Sequence, residues 1–173
     1  MNRYVSSVMV ITVLAGLTAS PAIAQEFARP TTITALAGPM NFDLSGTGTT
    51  LGTSVRVTQA LTPHVAVETG LLFARPVLQD GNRATLFTPE VHLQYHWRLG
   101  NVAPYAGGGV GFTHRSREGF GVTNLALSTA GGARYYVTDA TAIVGEFRLR
   151  GVQHNFAGTT AEWLGGVSFS FGG

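Results

Sequence analysis

The residues Glu90-Val91-His92-Leu93-Gln94-Tyr95-His96-Trp97-Arg98-Leu99 alternate polar and apolar without a fault, and each polar position can ionise or hydrogen-bond strongly. Successive side chains of a strand point to opposite faces, so Glu90, His92, Gln94, His96 and Arg98 share one face. Val91, Leu93, Tyr95, Trp97 and Leu99 share the other. On the polar face, His92 and His96 could act as a proton-sensitive switch, because imidazole titrates near neutrality. They could also be taken for metal ligands. No third ligand is evident, so the spacing reads as an interior pair satisfied by its neighbours, with no metal and no cofactor expected.

What holds that strand in place depends on where the chain goes. Arg3 supplies a positive start, Val5 to Leu17 form a short apolar stretch, and Ala22-Ile23-Ala24 fits the small-x-small cleavage rule of an export signal. The apolar stretch is too short for the ~20 residues of a spanning helix. Cleavage after Ala24 leaves 149 of 173 residues for residues 25–173, enough for one domain. There are no cysteines, so neither disulfides nor a Cys-based metal or nucleophile site is available. Only 12% of residues are charged while 45% are hydrophobic, which is greasy for an exported domain. All eleven basic residues are Arg, set against nine acids, so no polyanion-binding stripe exists and nucleic acid is excluded as a partner.

Eight segments have strand character, separated by Gly, Pro, Asn and Asp clusters. They run at about Thr31 to Phe42, Leu51 to Leu61, His64 to Ala74, Thr85 to Leu99, Val102 to His114, Val122 to Val137, a seventh carrying Ile143 to Arg150, and Glu162 to Phe171. Glycines of the fifth, in Gly107-Gly108-Gly109-Val110-Gly111, let a sheet bend and relieve crowding. Connections after the second, fourth and sixth are tight. Those after the others are longer, at Phe42 to Thr50, Pro76 to Ala84, Arg115 to Gly121 and Val152 to Ala161. Tight and long connections alternate in outer-membrane barrels, with the termini on the periplasmic side. The expected fold is therefore all-β: an eight-stranded antiparallel up-and-down transmembrane β-barrel.

Such a barrel inverts the usual reading, with lipid outside and charge inside. Its polar face collects Arg56, Glu68, Glu90, His92, His96, Arg98, Arg134, Tyr136, Glu146, Arg148, Arg150 and Glu162. Eight strands leave an interior just wide enough for side chains, so these groups are expected to pair across it as a plug. The alternative reading is a conduit or gate. On the lipid face, Tyr95, Trp97, Tyr135, Phe169 and Phe171 would form one aromatic belt, and Phe73, Phe87, Phe112 and Trp163 the other. A soluble barrel binding an apolar ligand would need the opposite orientation, with the Val/Leu/Phe face inward.

The runs Val102-Ala103-Pro104-Tyr105-Ala106-Gly107-Gly108-Gly109-Val110-Gly111, Gly132-Ala133-Arg134-Tyr135-Tyr136-Val137-Thr138-Asp139 and Gly145-Glu146-Phe147-Arg148 are similar to those of a known family. The chain resembles the small outer-membrane β-barrels related to the transmembrane domain of outer-membrane protein A and the opacity-type surface proteins. That resemblance implies a non-enzymatic envelope protein with surface loops open to interaction. Its implied partners are outer-membrane lipids, lipopolysaccharide and the outer-membrane assembly machinery, and it implies a monomer. Members end on an aromatic residue; here Gly172 and Gly173 follow Phe171. No peptidoglycan-binding domain follows, so cell-wall anchoring is not expected. Some similar barrels deacylate lipid A with a His-x-Ser pair and a distant acid. His114-Arg115-Ser116 has that local spacing and Glu118 lies nearby, whereas His154-Asn155-Phe156 lacks the serine.

Overall fold

Threonine, valine and aromatic residues suit a pleated surface with one face covered, and they recur through the segments that pair. The structure, a computed structural model, describes residues 30–41, 48–77, 81–117, 120–152 and 159–172. It contains β1 (Thr31–Asn41), β2 (Thr49–Ala60), β3 (Val65–Ala74), β4 (Thr85–His96), β5 (Val102–Arg117), β6 (Phe120–Tyr136), β7 (Thr141–Val152) and β8 (Thr160–Phe171). Each strand pairs antiparallel with the next, and β1 closes on β8, with Thr31 opposite Phe171 and Ile33 opposite Phe169. Closure leaves no unpaired edge, a requirement for strands that meet hydrocarbon.

Two expectations need correction. The fourth strand stops at His96, not Leu99. Trp97 N–H donates to Pro104 C=O at 2.9 Å, but Pro104 has no N–H to return the bond, and Gly100, at φ 63°, turns the chain three residues later. Second, Arg115 to Gly121 is not a long loop. β5 and β6 are the longest strands, at 16 and 17 residues, and they stay in register to Arg117 opposite Phe120. The hairpin lengthens by ladder instead of by loop. β1 keeps one phase through Gly38-Pro39: Thr32, Thr34, Leu36 and Met40 are buried while Ile33 and Ala35 face out.

The interior is not polar throughout. Met40, Leu72, Ala74 and Leu86 form a buried apolar cluster near the end with the longer connections. Leu36, Val144 and Leu164 form another with Tyr105. On the outside, Leu93, Phe112, Val137, Ile143, Trp163 and Phe169 are all at least half exposed, an arrangement that water would oppose and acyl chains favour.

Candidate functional site

The lumen is filled by ionic side chains projecting from the inward positions of β2, β3, β4, β6, β7 and β8. Four guanidiniums, Arg56, Arg134, Arg148 and Arg150, and four carboxylates, Glu68, Glu90, Glu146 and Glu162, are buried among the described residues. Arg148, with no exposed surface, is the hub. Its Nη2 lies 3.0 Å from Glu68 Oε1, its Nε 3.0 Å from Glu146 Oε1, and its Nη1 pairs with Glu90. Arg150 Nη2 contacts both oxygens of Glu90, at 3.1 and 3.0 Å, while Nη1 pairs with Glu162. Arg56 Nη1 reaches Glu146 Oε2 at 2.6 Å and Glu68 Oε1 at 3.6 Å. Shared carboxylates make this one network.

Charge-assisted bonds of this kind are the stronger class, and several carboxylates here each serve two guanidiniums. Residues not singled out from the sequence complete the set. Tyr105 Oη donates to Glu146 Oε2 at 2.8 Å, and Ser128 Oγ donates to Glu90 Oε2 at 3.2 Å. Tyr105 sits at the inward parity of β5, but an aromatic residue in a greasy strand reads as lipid-facing unless its phase is set by its neighbours.

The two histidines do not partner each other. His92 is buried, with Nε2 2.7 Å from Ser128 Oγ and 3.3 Å from Glu90 Oε2. His96 is half-buried near the end of β4, where Nε2 lies 3.1 Å from Gln94 Oε1 and the ring stacks on Tyr105 at 5.4 Å. Arg98 lies outside the plug: it is exposed, two residues beyond the end of β4, because its strand ends before its parity can carry it inside. Tyr136 is half-buried and lines the same open mouth as Arg98, His96 and Arg134, a cavity of about 390 Å³ at the end that carries the chain termini. Eight of the nine belt residues, Phe73, Tyr95, Trp97, Phe112, Tyr135, Trp163, Phe169 and Phe171, are exposed, and the ninth, Phe87, is half-buried. Tyr95 meets Trp97 edge-on at 5.1 Å, and Trp163 packs against Phe147 at 5.1 Å.

Of the hydrolytic constellation, His114 and Ser116 lie on β5. His114 Nδ1 lies 2.9 Å from Thr123 Oγ1, so its orienting partner is a hydroxyl, whereas a Ser-His nucleophile needs an acid behind the base. Glu118 and His154 to Phe156 lie outside the described residues. The inward Val/Leu/Phe face needed by a soluble ligand-binding barrel is contradicted, because Leu93 is 56% exposed while Arg148 is fully buried.

An apolar outer wall, a charge-filled lumen and complete strand closure define an eight-stranded barrel of the transmembrane type. Residues 9–171 match the outer membrane protein beta-barrel domain, and the chain belongs to that family. Among solved structures it is similar to Neisserial surface protein A, with a TM-score of 0.68, 14% identity, and coverage of 84% of this chain and 98% of that one. The N-terminal barrel of Pseudomonas aeruginosa OprF gives a TM-score of 0.57 and 15% identity, covering 83% of this chain and 98% of its own. Ail, the attachment invasion locus protein of Yersinia pestis, gives 0.55 and 13%, covering 83% and 97%. No curated protein matches the chain. The chain is thus an outer-membrane β-barrel protein, and membership of this family implies the bacterial outer membrane as its location.

Proposed function

We propose that this chain is a non-enzymatic, monomeric structural barrel of the envelope, closed to solutes and presenting its longer connections at the cell surface. The observation that carries this reading is the plug: Glu68, Glu90 and Glu146 converge on Arg148, and Met40, Leu72 and Leu86 fill the lumen towards one end. Side chains that satisfy one another in a narrow lumen leave no continuous water path. Tight connections between β2 and β3 and between β6 and β7 lie at the end that carries Thr31 and Phe171, which supports periplasmic termini. Lipopolysaccharide and other outer-membrane lipids would contact the wall, and the assembly machinery would insert it.

Planar-bilayer recording of the purified protein tests closure; a silent membrane is expected, and a sustained open conductance would overturn the structural reading. Mass spectrometry of lipid A from cells with and without the protein should give identical acylation. A difference would restore the enzymatic alternative built on His114 and Ser116. A protease site inserted after Gly81 should be cut on intact cells and one inserted at Asp139 spared; the reverse pattern would invert the orientation.

A further inference from the structure

The mouth at the end carrying the termini contains a cation that the plug does not take up. Arg56, Arg148 and Arg150 each lie within ion-pair distance of carboxylates. Arg134 is equally buried, at 5% exposure, yet it makes no ion pair among the described residues. Its Nη2 donates to Thr58 Oγ1 at 3.2 Å, its guanidinium carbon lies 5.4 Å from the centroid of the Tyr105 ring, and its Nε has no partner. A neutral hydroxyl and a ring face offset part of the desolvation of a guanidinium without supplying the anion that its fork of donors fits. Arg56 Nη2 and Arg150 Nε also lack hydrogen-bond partners, but those side chains are already ion-paired, and neither lines the mouth.

The cavity that Arg134 lines has about 390 Å³ of space, within the range of ~300–1,000 Å³ usual for small-molecule sites. Arg98 lines it from the exposed rim, and Asn101 and Tyr136 contribute an amide and a hydroxyl. Asp139 also lines it but forms no ion pair with either arginine among the described residues. We propose that this mouth binds an oxyanion, the carboxylate or phosphate group of a small molecule, with Arg134 as the buried anchor and Arg98 as the second cation at the rim. The lining residues ring the end of the barrel that carries Pro30 and Ser170, so the site differs from the lipid-facing wall. Its chemistry does not depend on which side of the membrane it faces or on whether the lumen conducts.

Calorimetric titration of the full chain in lipid-free nonionic detergent, with inorganic phosphate and then with succinate, tests the site. Saturable binding of at least one probe is expected, weakened about tenfold or more by Arg134→Gln, as for loss of a charge-assisted contact. Arg98→Gln should weaken it several-fold, whereas Arg83→Gln, exposed near the far end, should leave it unchanged. Absence of saturable binding by both probes overturns the proposal, as does wild-type affinity in the Arg134 and Arg98 variants. If Arg134→Gln fails to fold, Arg98→Gln decides, because that exposed side chain holds no buried contact. Repeating the titration in nanodiscs separates the sources. Phosphate binding lost only in phosphatidylglycerol identifies a lipid headgroup as the occupant, and binding kept in both phosphatidylglycerol and phosphatidylcholine identifies a soluble anion.

Discussion

At the scale of single residues, the plug is decided by how many carboxylates each guanidinium serves. Arg148 holds Glu68, Glu90 and Glu146 together, so replacing it leaves three buried acids with only Arg56 and Arg150 to share between them. Breaking a buried ion pair by removing one partner costs roughly 3–5 kcal/mol, because the survivors keep their desolvation without their counter-charge. Arg148→Met should therefore destabilise the barrel by about 3–5 kcal/mol, measured by reversible urea unfolding in lipid vesicles. His92→Gln should cost less, since an amide can still meet Ser128 and Glu90. Stability of Arg148→Met near that of the wild type would show that the network does not hold the lumen together. Alternation of polar and apolar residues is enough to assign Arg148, Glu90 and Glu68 to one face of their strands. It cannot say that Arg148 on β7 meets Glu68 on β3, because those strands are not neighbours and the pairing crosses the barrel. Depth is equally hidden, and Arg98 shows this: its parity points inward, but it lies past the end of β4, in the turn that Leu99 and Val102 close.

At the scale of strands, large inward side chains are matched by glycine on the adjacent strand. The register sets Glu90 opposite Gly111, His92 opposite Gly109 and Gln94 opposite Gly107. A Cβ on Gly109 would run into the His92 ring and the Val91 carbonyl, and one on Gly111 would lie 2.8 Å from Glu90 Cβ. The same rule places Gly70 opposite Arg56, where a Cβ would come within 2.9 Å of the arginine Cγ. Glycine runs in β5 are legible as a place where crowding must be relieved. Which bulky group each glycine accommodates is not, since that follows from a register known only once β4 and β5 are paired. The contrast with outward glycines gives a sharp expectation. Gly109→Ala should destabilise by about 1–3 kcal/mol through overpacking. Gly108→Ala, whose added carbon would find Ser128 C=O at 3.6 Å, should stay within about 0.5 kcal/mol. Unfolding midpoints followed by the gel shift between folded and heated protein would compare them, and equal effects would contradict the register.

For the molecule as a whole, the decisive feature is the inversion of inside and outside, and it was legible because period-2 alternation recurs in all eight strands while charged residues make up only 12% of the chain. Loop lengths were less informative: β5 and β6 extend their ladder to Arg117 and Phe120, since Thr, Val and Gly near the tip pair as readily as they would form a loop. The inversion predicts a depth profile. An arginine facing lipid costs roughly 2–4 kcal/mol at the bilayer midplane and about 0–1 kcal/mol near the interfaces, where its head can reach water. Phe147 lies midway along β7, is 38% exposed and packs on Trp163, whereas Val137 follows the last residue of β6 at a tight turn and is 59% exposed. Phe147→Arg should therefore cost ~2–4 kcal/mol and Val137→Arg about 0–1 kcal/mol, measured by unfolding from vesicles. In water the ranking would have no such cause, because both side chains already meet solvent and neither arginine would leave it. Equal tolerance of the two substitutions would mean that this wall does not face hydrocarbon, and the barrel would have to be read the other way round.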